Sequence, residues 1–115
     1  MARFASLAAA GSLAALALLS WVSQAHADVK LIALGHAIAE KNCGRCHAIG
    51  DTGDSANPKS PPFRTLSSRY PLADLEEALA EGIMVGHEGL EMPQFQLNGA
   101  QIQALLAYLA SVQAK

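Results

Sequence analysis

Cys43 and Cys46 are the only cysteines of the chain, and His47 follows the second one directly in the segment Cys-Gly-Arg-Cys-His. A Cys-x-x-Cys pair serves three kinds of chemistry: a redox-active dithiol, half of a zinc site, or covalent attachment of a haem. The adjacent histidine bears on the choice because an imidazole is a common axial ligand of haem iron. The rest of the sequence has to distinguish among the three.

Zinc binding and dithiol chemistry fit the sequence poorly. A closed zinc site needs four nitrogen or sulfur ligands, and the motif supplies three, so that His36 or His87 would have to supply the fourth. A dithiol of the thioredoxin type needs a βαβ setting. The sequence shows no segment with the alternating pattern of a strand.

Haem attachment uses every residue of the motif. Positions i and i+3 near the end of a helix lie on one face, so both thiols can add to the two vinyl groups of one porphyrin. His47 comes about one helical turn after Cys43, which places its imidazole below the porphyrin as the proximal iron ligand. The motif therefore predicts one haem c, bound covalently through Cys43 and Cys46.

The N-terminal segment predicts export. Arg3 precedes the uncharged, Ala- and Leu-rich residues 4–22, and the small-x-small sequence Ala-His-Ala occupies positions 25–27. This arrangement is typical of a secretory signal peptide, here residues 1–27. Because haem c is attached outside the cytoplasm, the signal peptide and the motif support each other and predict a periplasmic protein. The alternative is an uncleaved membrane anchor, since a bilayer span needs about 20 apolar residues.

Removal of the signal peptide would leave a single small domain, residues 28–115. Arg3 is the only charged residue in the removed segment, so the net charge would change from −2 to −3. Such a surface does not suit nucleic acid, which requires clustered Lys and Arg. The domain would retain few aromatic residues, which predicts that a prosthetic group fills its centre and that the haem-free chain is largely unfolded.

Three helices and two long loops are predicted, and the fold class is all-α. The first helix runs from about residue 29 into the Cys43 region, with an apolar stripe formed by Leu31, Leu34, Gly35 and Ile38. The second covers residues 70–82, with Pro71 in its first turn and Gly82 at its end. The third begins at Asn98, which forms an N-x-x-Q capping box with Gln101.

The chain resembles the class I monohaem c-type cytochromes over essentially all of residues 28–115. The matching segments, in order, are GHAIAEKNCGRCH, SPPF, LEEALAEGI, GHEGLEMPQF and IQALLAYLAS. The resemblance implies a cytochrome c fold, with three main helices and long loops wrapped around one covalently bound haem. It also implies that the chain transfers electrons and is not an enzyme.

Met92 is predicted as the second axial ligand, so that His47 and Met92 together hold the iron. Its segment agrees with the Met-Pro-x-Phe pattern of the family: Pro93 holds the chain in an extended path, and Phe95 can pack beside the porphyrin. His87 is the alternative ligand and would give a lower reduction potential, because Met/His ligation raises it. Met84 is interpreted as a core residue and His36 as a surface residue.

The resemblance also implies roles around the haem. The Pro61 carbonyl is expected to accept a hydrogen bond from His47 Nδ1–H, and Gly35 is expected to allow close contact between the terminal helices. The chain departs from the family at Ala39, where an aromatic residue is common, and in lacking a tryptophan after residue 27. The candidates for pairing with the haem propionates are Arg64, Arg69 and Tyr70.

The function predicted from these features is that of a periplasmic, monomeric one-electron carrier. Its redox partners would be a donor dehydrogenase or quinol-oxidising complex and an acceptor oxidase or reductase. Nucleic acid is not expected as a partner, nor is stable membrane insertion once the signal peptide is cleaved. Two alternatives remain: a haem subunit or docking module of a larger redox enzyme, and an enzyme or gas sensor with five-coordinate haem.

Overall fold

The computed structural model describes residues 26, 28–82, 86–87, 90–92 and 95–114. Its elements are α1 (residues 28–42), a 3₁₀ helix (Phe63–Ser68), α2 (Asp74–Glu81), the two-residue strands β1 (Gly86–His87) and β2 (Leu90–Glu91), and α3 (Gly99–Val112). The strands pair antiparallel. The predicted all-α class is confirmed, because the two strands are the only departure from helix and loop within the described residues.

Internal contacts divide the chain into two compact units, Met1–Lys30 and Leu31–Lys115. The predicted signal peptide, residues 1–27, lies outside the described residues except for His26, and its cleavage stays a prediction. In the part of the chain that the structure describes, no helix has the length and apolar character required to cross a bilayer.

α1 and α3 meet at Gly35. A Cβ atom at this position would overlap the Ala104 carbonyl oxygen and would lie 2.7 Å from Tyr108 Cβ. The close helix contact that the resemblance implied at Gly35 is therefore present. Ala39, one helical turn after Gly35, is fully buried, and Tyr108 of α3 is buried as well.

The buried face of α1 differs in part from the predicted stripe. Gly35 and Ile38 are buried as predicted, but Leu31 is 37% exposed and Leu34 is 49% exposed. In a helix with 3.6 residues per turn, consecutive side chains are about 100° apart around the axis. Leu34 therefore lies on the flank of the face that meets α3, and Ala39 takes part in that face instead.

α3 begins at the predicted capping box and is linked to α2. Asn98 Oδ1 accepts a hydrogen bond from the Gln101 N–H, and Gln101 Oε1 accepts one from the Asn98 N–H, both at 2.9 Å. Gln103 Nε2 donates to Glu76 Oε1 at 2.8 Å, which joins the two helices on their exposed side. Together these contacts fix where α3 starts and how α2 lies against it.

α2 is shorter than predicted at its start. Pro71 lies before the helix rather than in its first turn, and the Asp74 N–H donates to the Pro71 carbonyl in a preceding turn, at 3.1 Å. The fixed φ of a proline suits both a turn and the first turn of a helix. The sequence alone therefore could not decide between these two positions for Pro71. The helix ends as predicted at Gly82, whose φ of 82° is left-handed.

The 3₁₀ helix was not predicted. It follows Pro62 and buries Phe63 and Leu66, which are three residues apart and so lie on one side of it. Together with α1, α2 and α3 it encloses one apolar core, made up of Ile38, Ala39, Cys43, Phe63, Leu66, Leu79, Ile102, Ala104, Leu105, Tyr108 and Leu109.

Candidate functional site

The Cys-x-x-Cys-His motif forms a tight turn at the end of α1. Cys43 still follows the helical pattern, because its N–H donates to the Ala39 carbonyl at 2.8 Å. Its own carbonyl accepts from the Cys46 N–H at 3.1 Å and from the His47 N–H at 2.9 Å. The second of these bonds spans four residues, so His47 lies one turn beyond Cys43, as the spacing predicted.

His47 is held on one side by the segment that contains Pro61 and Phe63. Its Nδ1 atom lies 2.8 Å from the Pro61 carbonyl oxygen, and its ring centroid lies 5.1 Å from that of Phe63. Because a carbonyl can only accept, Nδ1 must carry the hydrogen, and in the neutral imidazole the lone pair that binds a metal is then on Nε2. The hydrogen bond expected between His47 and Pro61 is thus present, whereas the role of Pro61 in haem binding stays a prediction.

The loop after the motif is fastened to it by backbone hydrogen bonds. The Asn57 N–H donates to the Cys46 carbonyl at 3.1 Å, and the Phe63 N–H donates to the Ala48 carbonyl at 2.9 Å. The Ala48 N–H donates in turn to Ser55 Oγ at 3.0 Å. These bonds bring Pro61 back beside His47, and no local sequence pattern indicated Ser55 or Asn57.

One cavity of about 930 Å³ brings together the residues predicted for the site. It lies among the end of α1, the following loop, the 3₁₀ helix, α2, α3 and the segment before α3. All five predicted site residues line it: Cys43, Cys46, His47, Pro61 and Met92. The apolar part of the lining comes from Ile38, Phe63, Leu66, Leu75, Leu79, Phe95, Leu97, Leu105 and Leu109.

The charged lining of this cavity is mainly cationic. Among the residues that the structure describes, it contains one carboxylate, Asp74, and four cations, Lys41, Arg45, Lys59 and Arg69. This balance is opposite in sign to the net charge of the chain.

Two of the three residues predicted to pair with the haem propionates line the cavity. Arg69 and Tyr70 line it, but Arg64 does not, and its Nη1 atom instead donates to the Gly53 carbonyl at 2.7 Å. The prediction that Arg64 contacts the cofactor is therefore not supported by its position in the structure. Burial raises the pKa of Tyr70, although the neighbouring Arg69 opposes the shift.

The two cysteines differ in environment. Cys43 is 7% exposed and belongs to the apolar core, whereas Cys46 is partly exposed, and no disulfide joins them. Burial raises the pKa of the Cys43 thiol to about 11, because desolvation disfavours the thiolate.

Some predicted residues cannot be placed. Met84 and Pro93 lie outside the described residues, as does the side chain of His87. His36 is exposed as predicted, with its ring edge against Tyr108.

The zinc alternative gains no support. Among the side chains that the structure describes, no three of the types His, Cys, Asp and Glu are grouped closely enough to hold a metal ion.

Comparison with protein families assigns the chain. A model of the cytochrome c family matches residues 32–113, which is most of the chain, and the chain belongs to that family. Comparison with curated proteins gave no match, and comparison with solved structures gave none either. The resemblance drawn from the sequence is thus confirmed. Members of this family are generally electron-transfer proteins of exported or extracytoplasmic location, and membership implies a covalently bound haem c.

The residues present fit that group. A cavity of about 930 Å³ lies within the range of roughly 300–1,000 Å³ that is usual for cofactor sites. Both thiols of the attachment motif line it, and the free lone pair of His47 is on the nitrogen that a metal would use. The lining is mostly apolar with a cationic part, which suits a porphyrin that carries two carboxylates.

Proposed function

We propose that this chain is an exported one-electron carrier in which Cys43 and Cys46 attach a haem c and His47 and Met92 bind its iron. The observation that supports it best is that one cavity is lined by all four residues, although Met92 lies far from the motif in sequence. When bound, the haem supplies a single one-electron couple.

The protein side chains tune this couple in two ways. The hydrogen bond from His47 Nδ1–H to the Pro61 carbonyl fixes the ring tautomer and raises the basicity of the imidazole. A more basic imidazole lowers the reduction potential. A thioether from Met92 would raise it, because Met/His ligation gives a higher potential than two histidines. If His47 and Met92 both bind the iron, no position would be left for a substrate there, and the function would be electron transfer.

We further propose a periplasmic location and protein redox partners. The predicted signal peptide at residues 1–27 supports the location. A donor dehydrogenase or quinol-oxidising complex and an acceptor oxidase or reductase are the partners that suit such a carrier. Electrons would pass at the cavity, whose lining carries four cations and one carboxylate among the described residues.

Absorption spectra of the exported protein, oxidised and reduced, test this proposal. The wild type is expected to show a covalent haem that acidified organic solvent does not extract. Met92→Ala is expected to lower the reduction potential and to open the sixth position, so that carbon monoxide binds rapidly to the reduced variant and slowly to the wild type. The matched control, His87→Ala, should leave spectrum and potential unchanged.

Two results would contradict the proposal. Extraction of the pigment by acidified solvent would exclude covalent attachment. A spectrum that changes in His87→Ala and not in Met92→Ala would show that the histidine is the ligand.

A further inference from the structure

Gln113, at the C-terminal end of α3, makes three hydrogen bonds through its side-chain amide. Its Nε2 group donates to the Phe63 carbonyl oxygen at 2.8 Å and to the Leu109 carbonyl oxygen at 2.7 Å. Its Oε1 atom accepts from the Ser67 N–H at 2.8 Å. One side chain therefore holds the 3₁₀ helix near both of its ends and fixes it to α3.

The first residue of the same 3₁₀ helix and the segment just before it make the contacts with His47. Phe63 is its first residue, and the Phe63 ring lies 5.1 Å from the His47 ring. Pro61, two residues earlier, accepts the hydrogen bond from His47 Nδ1 at 2.8 Å. A displacement of the 3₁₀ helix would thus move both the ring beside the imidazole and the carbonyl that fixes its tautomer.

We infer that Gln113 is a positioning residue for His47, which it reaches through Phe63 and Pro61. The inference rests on the proposed function, in which His47 binds the haem iron. A strong Nδ1–H bond makes the imidazole a more basic ligand, and a more basic ligand favours ferric iron. Loss of the Gln113 amide loosens the 3₁₀ helix, weakens that bond and therefore raises the reduction potential.

Replacement of Gln113 by methionine in the haem-containing protein tests the inference, because methionine keeps the length of the side chain and removes its amide. The matched control is Gln103→Met, since Gln103 lies in α3 and its Nε2 group donates to Glu76 rather than to the 3₁₀ helix. Two quantities are measured: the midpoint potential and the exchange rate of the His47 Nδ1 hydrogen by NMR.

Gln113→Met is expected to raise the equilibrium constant for reduction of the haem several-fold. A tenfold rise corresponds to an increase of about 59 mV in the midpoint potential of a one-electron couple. The substitution should also accelerate exchange of the Nδ1 hydrogen several-fold. Gln103→Met should change neither quantity, although both variants lower the melting temperature.

A lowered melting temperature of Gln113→Met with wild-type potential and exchange would overturn the inference, because the amide would then only stabilise the fold. A second bond joins the end of the chain after α3 to the 3₁₀ helix: the Ala114 N–H donates to the Arg64 carbonyl at 2.9 Å. It uses backbone atoms alone, so it does not depend on the side chain at position 113. Gln113→Asn, one methylene shorter, serves as the second variant if Gln113→Met does not fold, and it should change both quantities in the same direction.

The wild-type spectrum separates this inference from the proposed function. A wild-type spectrum without histidine ligation would refute both, whereas a His/Met spectrum with unresponsive Gln113 variants would refute the positioning role alone.

Discussion

Tyr108 shows how one side chain joins several parts of the fold. It is 7% exposed, and its hydroxyl donates to the Ile49 carbonyl at 2.9 Å, just beyond the haem-attachment motif. Its ring lies edge-on to that of His36, with centroids 5.1 Å apart. Tyr108 thus joins α3 to α1 and to the chain just beyond the motif, on the side where its Cβ approaches Gly35.

Replacement of Tyr108 by phenylalanine should give a pH-dependent change in stability. Burial, assisted by the Asp51 carboxylate, raises the pKa of Tyr108 above its usual 10.0. The folded state therefore prefers the protonated phenol, and this contribution is complete below pH 10 and is lost as the pH rises through the raised pKa. At neutral pH the variant should lose about 1 kcal/mol with the hydrogen bond to Ile49.

The measurement is denaturant-induced unfolding of the haem-containing wild type and Tyr108→Phe from pH 7 to pH 11. The two proteins share every other titrating group, so the difference in unfolding free energy isolates Tyr108. That difference should be constant below pH 10 and should shrink above it. A difference that stays constant up to pH 11 would contradict the assignment.

At the scale of elements, the contact between α1 and α3 depends on the absence of a side chain at Gly35. Gly35→Ala would place a Cβ atom onto the Ala104 carbonyl oxygen and 2.7 Å from Tyr108 Cβ, and the first of these neighbours is backbone that cannot rotate away. The helices must separate, which should cost about 1–3 kcal/mol or more. For a domain of this size, each kcal/mol corresponds to roughly 4–8 °C in melting temperature.

Gly99→Ala is the matched control for that experiment. Gly99 is the first residue of α3, and a Cβ atom there would meet nothing within 4 Å. Alanine at this position should leave the melting temperature unchanged or raise it slightly, because it reduces the freedom of the unfolded chain. Equal melting temperatures for Gly35→Ala and Gly99→Ala would show that the helices do not meet as closely as described.

The elements that the sequence predicted well are those with a local signal. The capping box at Asn98 and the helix stop at Gly82 depend on neighbouring residues, and both are present. The 3₁₀ helix carries no comparable signal, because two apolar residues over six positions do not establish a period. The flank position of Leu34 was missed for a different reason: only the partner helix decides which part of a broad apolar stripe is buried.

The site shows the same division between local and long-range information. Cys43, Cys46 and His47 are fixed by one turn of chain and could be predicted from their spacing. The Gln113 amide bonds to Phe63 across 50 residues and to Ser67 across 46, so no local pattern could indicate it. Arg64 likewise lies outside the cavity and donates to the Gly53 carbonyl, a bond that no local pattern indicated.

For the whole molecule, the cavity is large relative to the core that surrounds it. Its volume is about 930 Å³, and eleven buried residues form the core cluster in the part of the chain that the structure describes. Much of the apolar lining would face water in a chain without its haem. Small domains have little stability beyond what their core supplies, so the haem-free chain is expected to be largely unfolded.

Alkylation of the two cysteines in haem-free protein tests this expectation. In a folded chain, Cys43 is buried with a pKa of about 11 against an ordinary value of 9.0, which at pH 8 corresponds to about a hundredfold less thiolate. In an unfolded chain Cys43 and Cys46 are equivalent. We therefore expect iodoacetamide to alkylate Cys43 and Cys46 at equal rates, measured by mass spectrometry. Urea should leave both rates unchanged. A rate for Cys43 far below that for Cys46, abolished by urea, would show instead that the fold forms around an empty cavity.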